Sequence, residues 1–249
     1  MRSAGYELKP SSQLHSSKKI DWFRLRLLDW FSDNGRDFLW RRPSASKYVK
    51  IVSEVLLQRT RADVVAEFLP KFIKRYPSWT AIASGKSSDL RKHLKPIGLW
   101  RRRASSLENL ATEMAKRRGV FPRRREEIEK LPNVGQYIAN AILLFCHGEP
   151  EPLLDVNMAR VLERFFGPRT LADIRYDPYL QSLAKAFVNS RDPVLLNWAI
   201  LDHATLLCRI TAPRCLDCPL LSKCRFAKEN YSSIARAQLS PKRKGRRTC

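Results

Sequence analysis

Apolar residues recur along this chain at intervals of three and four, which is the spacing of one face of an α-helix. In the first such segment these positions are held by Ile20, Phe23, Leu27 and Trp30. The same pattern predicts helices over residues 20–31, 48–57, 63–76, 107–114, 134–145, 156–166, 179–188 and 194–206. Proline and glycine occupy the breaks, and the alternation typical of strands is weak. The pattern therefore predicts an all-α fold.

Composition sets the scale of that fold. Of 249 residues, 44% are hydrophobic, enough for one compact domain or two lobes around a shared cleft. No apolar run approaches the roughly 18 residues of a membrane span, and residues 1–19 have no apolar core of the kind a secretory signal needs. We therefore expect an intracellular protein without structural disulfides. Both polar, basic ends, residues 1–19 and 229–249, are predicted to be disordered tails.

The charge of the chain points to a partner. Lysine and arginine outnumber aspartate and glutamate by 47 to 24, which gives a net charge of +23. Only six of the basic residues lie in the last twenty positions, so most of the excess belongs to the body of the chain. A basic body favours a polyanion, because neutralising phosphates releases condensed counterions. A basic protein with no nucleic-acid role is the alternative.

Four cysteines near the end of the chain form a candidate metal site. Their spacing is Cys208-x6-Cys215-x2-Cys218-x5-Cys224. Thiolates can hold either zinc or an iron–sulfur cluster. Structural zinc usually has two close pairs, whereas this segment has one close pair and wider gaps, so the spacing favours iron–sulfur and leaves zinc open. Cys146 is predicted to be a buried thiol and Cys249 an incidental one.

A glycine-containing turn separates two predicted helices at about residues 126–145. It reads Leu-Pro-Asn-Val-Gly-Gln-Tyr from position 131. A turn of this kind exposes backbone N–H groups at a helix N-terminus and can bind phosphate without reading sequence. The candidate DNA contacts are Asn133, Val134, Gly135 and Gln136. An ordinary helix–helix corner is the alternative.

Asp155 lies 18 residues after Tyr137, at the predicted start of a helix. An aspartate there can be a plain N-cap worth about 1 kcal/mol. It can also be a catalytic carboxylate, and the sequence around it leaves both open.

The turn, the aspartate segment and the cysteine spacing, in that order, resemble the helix–hairpin–helix, Gly/Pro-loop, Asp superfamily of DNA glycosylases. Its iron–sulfur branch includes endonuclease III and the adenine and thymine mismatch glycosylases. The resemblance covers about residues 20–228 and implies a [4Fe–4S] cluster on the four cysteines and catalysis by Asp155. One departure is Asn133, where the family usually has glycine, but asparagine tolerates left-handed dihedrals.

The resemblance also implies an architecture of two helical lobes with the DNA-binding groove between them. Residues 46–152 would form a six-helix barrel that ends in the hairpin. Residues 20–45 would join residues 153–228 in a lobe that carries the cluster.

Position 137 separates the reaction types of this family. Members that also cleave the strand have lysine there, whose amine forms a Schiff base. Tyr137 cannot do so, and a tyrosine at this place resembles the thymine branch, where the ring lines the base pocket. We therefore expect a monofunctional hydrolase that leaves an abasic site, with a core aromatic as the alternative for Tyr137.

Two further segments, residues 34–41 and 52–60, extend the resemblance to both mismatch branches. Glu54 and Gln58 are four residues apart on a helix that also presents an apolar face. The resemblance implies that Glu54 contacts the flipped base as an acid and that Gln58 fills the vacated space in the duplex. The apolar surface beside Glu54 predicts a raised pKa, which suits an acid. Leu99 would be an apolar wedge in the DNA stack. Arg59, Arg102 and the arginines at 101–103 and 123–125 are candidate phosphate contacts. Solvated surface positions are the alternative.

The choice of base rests on finer detail. The segment from Gly98 to Ala104 fits the thymine branch, and about 25 residues after Cys224 are too few for the C-terminal domain usual in adenine glycosylases. We expect thymine or uracil opposite guanine to be removed from double-stranded DNA. Adenine excision from A/G mismatches is the first alternative, and a DNA-binding protein without catalysis is the second. The protein is expected to act as a monomer in the cytoplasm at the nucleoid, or in the nucleus if eukaryotic.

Overall fold

The computed structural model describes residues 16–239, and this part of the chain is helical, with no strand. The first six helices are α1 Ser17–Asn34, α2 Lys47–Leu57, α3 Ala62–Arg75, α4 Trp79–Ala83, α5 Ser87–Leu94 and α6 Trp100–Lys116. The next six are α7 Arg125–Ile128, α8 Gln136–His147, α9 Val156–Phe166, α10 Pro178–Val188, α11 Pro193–Leu206 and α12 Arg225–Leu239. Short 3₁₀ turns occupy Leu39–Arg41, Lys95–Ile97, Cys215–Asp217 and Leu221–Lys223. The all-α prediction is confirmed. None of the described helices combines the length and apolar character needed to cross a membrane.

Side-chain caps fix where several helices begin. Ser46 accepts a hydrogen bond from the backbone N–H of Val49 at the start of α2, and Asp177 accepts one from Leu180 at the start of α10. Such caps satisfy backbone donors that have no partner inside the helix. The predicted helix over residues 156–166 has the bounds of α9. The short helices α4 and α5 were not predicted, because few apolar positions recur within so few residues. The short helix α7 precedes the turn, where the first helix of the hairpin was expected.

The described residues bury two large hydrophobic clusters and a small third one. The first is built around α2, α6 and α8 and includes Leu56, Leu107 and Ile142. The second joins α1 to α9, α10 and α11, where the ring of Phe23 contacts Phe165 and Phe187 edge-on at centroid distances of 4.6 and 5.3 Å. The N-terminal helix therefore packs with late segments of the chain.

The expected lobe boundary at residue 45 needs a correction. Phe38 and Trp40 are buried in the first cluster, where their rings stack at 4.5 Å. The chain thus enters the first cluster soon after α1 ends, because these two large aromatic side chains remove apolar area from water there.

Polar contacts join the two clusters. The buried carboxylate of Asp202 accepts hydrogen bonds from Arg36 Nε at 2.8 Å and from Arg41 Nη1 at 2.7 Å. The side chain of Asn197 accepts from the backbone N–H of Leu153 at 2.7 Å and donates to the carbonyl of Glu151 at 3.1 Å. The segment that leads into α9 is therefore held in place from α11.

The predicted disordered tails, residues 1–19 and 229–249, extend too far into the chain, because helices occupy parts of both. The helix α12 continues to Leu239, well inside the segment from residue 229 that was expected to be disordered. Its side chains Ala227 and Ile234 are buried against Cys215, and this burial stabilises a helix that composition alone does not favour. At the other end, α1 begins at Ser17, and Lys19 Nζ lies 5.1 Å from the centroid of the Phe165 ring. The rest of both predicted tails, and Cys249, lie outside the described residues.

Candidate active site and cysteine cavity

Glu54 and Tyr137 meet in the interior, although 83 residues separate them in the chain. Glu54 is on α2 and only 3% exposed, and the Tyr137 hydroxyl on α8 donates a hydrogen bond to Glu54 Oε2 at 2.9 Å. Burial raises the pKa of Glu54 to about 7, against smaller opposing effects of this hydrogen bond and of Arg41. The raised pKa that its apolar surroundings predicted is confirmed. At neutral pH the carboxyl group is therefore partly protonated.

Asp155 lies near this pair. Burial and the negative charges of Glu54 and Asp155 raise the pKa of the Tyr137 hydroxyl, and Asp155 also raises that of Glu54. A charge that acts on both groups must lie in the same region of the interior, because charge effects weaken with distance. Helices α2, α8 and α9 thus bring one tyrosine and two carboxyl groups together.

The N-cap interpretation of Asp155 is correct as far as geometry goes. Its Oδ1 accepts hydrogen bonds from the backbone N–H groups of Asn157 and Met158, both at 2.9 Å. Its Oδ2 accepts a third from Asn157 Nδ2 at 2.6 Å. The N-terminus of a helix favours the ionised form of a carboxylate. The hydrogen bonds do lower the pKa of Asp155, but burial outweighs them and the net change is upward.

A chain of hydrogen bonds continues from Asp155 toward the cysteines. Asn157 Oδ1 accepts from Arg160 Nη2 at 3.2 Å, and Arg160 Nε donates to the carbonyl of Cys208 at 2.9 Å. Sequence reasoning missed both residues. Their spacing of three, which places them on one side of α9, was the available signal.

Three non-glycine residues in candidate DNA-contacting loops have left-handed backbone dihedrals. They are Arg59 with φ 58°, Leu99 with φ 47° and Asn133 with φ 60°. This confirms that the hairpin accommodates Asn133 in the left-handed conformation. Leu99 is 50% exposed although it is large and apolar. Left-handed dihedrals at non-glycine residues and exposed apolar side chains cost free energy in the isolated protein and occur often at binding sites.

The predicted DNA contacts differ in exposure. Gln58, Arg59 and Arg102 are exposed, so Gln58 does not share the buried environment of Glu54 one turn earlier. In the hairpin, Val134 is buried in the first cluster, which leaves only its backbone for an outside partner. Gln136 donates to Gln181 at 3.0 Å. At Gly135 an added Cβ would meet nothing within 4 Å, so the space beside this backbone is open.

The prediction that the arginines at 101–103 contact phosphates is wrong for one of the three. Arg103 is 4% exposed and turns inward, so it is not a surface phosphate contact. Helical periodicity could have shown this, because Arg103 is four and seven residues before Leu107 and Leu110 on the buried side of α6.

The four cysteines Cys208, Cys215, Cys218 and Cys224 line one cavity, and none is in a disulfide. Within residues 16–239, no three His, Cys, Asp or Glu side chains converge closely enough to bind a single metal ion. Four free thiols around a shared space suit a larger group bound by several sulfur atoms better than one zinc ion. Cys146 is buried elsewhere, as predicted, and burial raises its pKa to about 11.

The electrostatics of the cavity also affect whether its thiols can bind a metal cluster. Burial raises the pKa of Cys218 to about 12 and that of Cys215 to about 11, so these thiols become thiolates only with a strong positive partner. Two nitrogen atoms already lie near sulfur: His203 Nε2 is 3.2 Å from Cys218 Sγ, and Arg164 Nη1 is 3.4 Å from Cys208 Sγ. The donor set and its surroundings therefore fit a cationic iron–sulfur core.

Comparison with known proteins agrees with this geometry. Residues 52–187 match the model of the HhH-GPD superfamily of base excision DNA repair proteins. A thymine-DNA glycosylase from Aeropyrum pernix is 36% identical over 84% of this chain and 95% of its own length. A thymine/uracil-DNA glycosylase from Pyrobaculum aerophilum is 34% identical over 80% of this chain and 88% of its own length. The solved structure of a thermostable thymine-DNA glycosylase superposes with a TM-score of 0.78 at 30% identity, over 85% of this chain and 98% of that one.

Proposed function

The chain belongs to the HhH-GPD superfamily of base excision DNA repair proteins, and on that premise we propose that it is a DNA glycosylase that removes thymine or uracil opposite guanine. The relatives it resembles over nearly their whole length are named for thymine and uracil. The observation that carries the proposal is the Tyr137 hydroxyl bonded to the buried carboxyl group of Glu54, with Asp155 beside them.

Asp155 is the proposed catalytic carboxylate. Breaking the bond between base and sugar builds positive charge on the sugar, and a carboxylate close to that carbon stabilises this charge. Asn157 and the first backbone N–H groups of α9 hold the carboxylate in one orientation. A fixed orientation means that little reorganisation is needed when the charge develops.

Glu54 is the proposed acid. A carboxyl group whose pKa is about 7 keeps a proton in part of the molecules at neutral pH and can donate it to the departing base. The hydrogen bond from Tyr137 to Oε2 leaves Oε1 to carry that proton. Glu54 and Asp155 then have separate tasks, the first with the base and the second with the sugar.

Tyr137 limits the reaction to hydrolysis. It stands where strand-cleaving members of the superfamily have lysine, and a phenol cannot form a Schiff base with the sugar. Its ring is proposed to form one wall of the base pocket. The product would be an abasic site in an unbroken strand.

The substrate base must leave the duplex to reach this buried site. We propose that the exposed Leu99 enters the stack as a wedge and that Gln58 fills the vacated space. The hairpin from Asn133 to Gln136, with the open space at Gly135, would hold the backbone, and Arg59 and Arg102 would contact phosphates. The protein is proposed to act on double-stranded DNA as a monomer, where genomic DNA is found.

A [4Fe–4S] cluster on Cys208, Cys215, Cys218 and Cys224 is part of the proposal. It would brace the loop that Arg160 joins to α9 and would take no part in breaking the bond. The purified protein should show the broad visible absorbance of such a cluster, with four iron and four sulfide per chain as [4Fe–4S] requires. Cys218→Ser should lose this absorbance, whereas Cys146→Ala should keep it. One zinc and no iron per chain would contradict the assignment.

Base release from duplexes that contain T·G, U·G or A·G tests the activity directly. We expect thymine and uracil to be released, with no strand cleavage and no covalent adduct after borohydride treatment. Release of adenine alone would overturn the choice of base. Binding without release of any base would instead support a non-catalytic DNA-binding protein.

A further inference from the structure

Arg103 is a buried cation beneath the surface that the proposed function gives to DNA. It begins the second turn of α6 and is 4% exposed, unlike its exposed neighbours Arg101 and Arg102. In the described hydrogen bonds its guanidinium contacts none of Glu54, Tyr137 or Asp155.

The partners of Arg103 belong to two different loops. Nη1 donates to the carbonyl of Ile97 at 2.6 Å and to the carbonyl of Gly98. Nη2 donates to the carbonyl of Gln58 at 2.7 Å and to Thr60 Oγ1. One planar group therefore joins the end of α2 to the turn before α6, and the geometry of a guanidinium suits such a fork of contacts.

These contacts are all to neutral acceptors. Among residues 16–239, no carboxylate forms an ion pair with Arg103, and its Nε is buried without a partner. Burial of a charge without an opposite charge is costly, and this burial lowers the pKa of Arg103. The four hydrogen bonds to the two loops offset part of this cost, so the buried cation is held by its role as a link between them.

Each of the two loops carries a residue proposed to enter DNA. Gln58 ends α2 and is followed by Arg59 at φ 58°, and Leu99 at φ 47° follows Gly98. Left-handed dihedrals at non-glycine residues are unfavourable unless neighbouring contacts hold them. Arg103 donates hydrogen bonds to the carbonyl groups of Gln58 and Gly98, which directly precede Arg59 and Leu99.

We infer that Arg103 is a positioning residue that fixes the Gln58 loop and the Leu99 loop at one separation, so that both side chains enter the duplex together when the base leaves it. The inference rests on the proposed function and adds to it the coupling of the two insertions. If Gln58 enters the duplex without Leu99, or at the wrong distance from it, the flipped base can return to the stack.

The test compares a paired target with one that is already unpaired. Single-turnover release of thymine is measured opposite guanine and opposite an abasic site, for wild type, Arg103→Met and Arg103→Lys. A misplaced group of this kind costs roughly 100-fold in rate. We expect a loss of that order for Arg103→Met opposite guanine, a loss several times smaller opposite the abasic site, and partial recovery in Arg103→Lys. Arg117→Met, an exposed arginine at the other end of α6, should equal wild type.

A second measurement does not depend on hydrolysis. In the Asp155→Asn background, 2-aminopurine beside the target reports base flipping by its fluorescence rise at saturating enzyme. Addition of Arg103→Met should lower that rise. Thr60→Val removes one acceptor of Arg103 and keeps the arginine. It should lower the fluorescence rise by a smaller amount. This variant tests the inference if Arg103→Met fails to fold.

Equal loss on both duplexes with an unchanged fluorescence rise would overturn the inference, because it would indicate a structural role only. Rates within twofold of wild type would overturn it as well. If wild type releases no base from any duplex, the proposed function fails, and the fluorescence measurement still decides the role of Arg103.

Discussion

The pKa shifts of Glu54 and Asp155 at the candidate active site are opposite in direction to those of Asp202 and Asp177 elsewhere in the molecule. At the candidate active site, burial raises the pKa of Glu54 and of Asp155. Away from it, burial also acts on Asp202 and Asp177, but there their partners outweigh it and lower the pKa. Asp202 has Arg36 and Arg41, whereas within residues 16–239 the Tyr137 hydroxyl is the only direct hydrogen-bond partner of the Glu54 carboxyl group.

Asp155 and Asp177 can be compared directly, because both are N-cap residues. Asp155 and Asp177 both begin a helix and both accept backbone hydrogen bonds from it. Asp177 Oδ2 also accepts hydrogen bonds from the backbone of Thr170 and Leu171, both at 2.7 Å, so its charge is fully satisfied by the fold. Among the described residues, Asp155 accepts hydrogen bonds only from Asn157 and Met158 of its own helix, and burial still raises its pKa. The same local motif thus holds a carboxyl group with a lowered pKa in one place and one with a raised pKa in the other. Carboxyl groups of the second kind are typical of functional sites.

The largest effect expected from this difference is on Asp155→Asn. Asparagine caps a helix about as well as aspartate, so the fold should survive. The charge that stabilises the sugar is lost, and base release should fall by roughly 1000-fold. Single-turnover release from T·G and U·G duplexes measures this, with DNA affinity determined in parallel and expected to stay near that of wild type.

Asp177→Asn is the matched control. It should leave base release unchanged and lower the free energy of unfolding by about 1–3 kcal/mol, since one side-chain oxygen no longer accepts backbone hydrogen bonds. Equal release by wild type and Asp155→Asn would remove Asp155 from catalysis and make the two caps equivalent.

The next effect is on Glu54→Gln. Loss of the transferable proton should slow base release by roughly 100-fold at pH 6 to 7. The wild-type rate should fall as pH rises through about 7, because the acid form of Glu54 is then lost. The variant should show no such fall. A wild-type rate that is level from pH 6 to 8.5 would argue against Glu54 as the acid.

The stability contributed by Glu54 and that contributed by Asp202 should change with pH in opposite directions. The folded-state pKa of Glu54, about 7, lies above its ordinary value of 4.5, so its contribution is fully present below pH 4.5 and is lost as pH rises through 7. The free energy of unfolding of wild type should fall relative to that of Glu54→Gln by about 2–3 kcal/mol between pH 5 and 8. Denaturant titrations at each pH measure the difference.

Asp202 should behave in the opposite way. Its pKa is lowered, so the stability it contributes is present above its ordinary pKa and is lost as pH falls through the lowered one. Asp202→Asn should therefore cost about 3 kcal/mol at pH 7, because two arginines lose their partner, and the cost should shrink in acid. Parallel pH curves for Glu54→Gln and Asp202→Asn would contradict the comparison.

The smallest effect is expected from Tyr137→Phe. The tyrosine hydroxyl lowers the pKa of Glu54 slightly against the rise caused by burial. Its removal should move the fall in rate to higher pH by up to about one unit and change the rate at pH 7 only a few-fold. A pH–rate profile shows the shift. An unchanged midpoint would mean that the 2.9 Å hydrogen bond contributes nothing to the acidity of Glu54.

Sequence reasoning succeeded where a property depends on neighbours in the chain. The period of apolar residues predicted α9 at its observed bounds, and the tolerance of asparagine for left-handed dihedrals predicted the conformation of Asn133. It failed for α4 and α5, which are too short to show a period, and for α12, which depends on burial of Ala227 and Ile234. The roles of Asp155, Tyr137 and the four cysteines stay predictions that the experiments above test.

What the sequence determined by itself was the helical fold, the basic charge and the order of the hairpin, aspartate and cysteine motifs, because each is written in residues close together in the chain. Only the tertiary structure decided which carboxyl groups have a raised pKa and which a lowered one, since Glu54 and Asp202 differ in the partners that distant helices bring to them. It also decided that Arg103 points inward to join the Gln58 and Leu99 loops. Local spacing cannot specify such contacts, because a pKa or a buried cation depends on every group that packs around it.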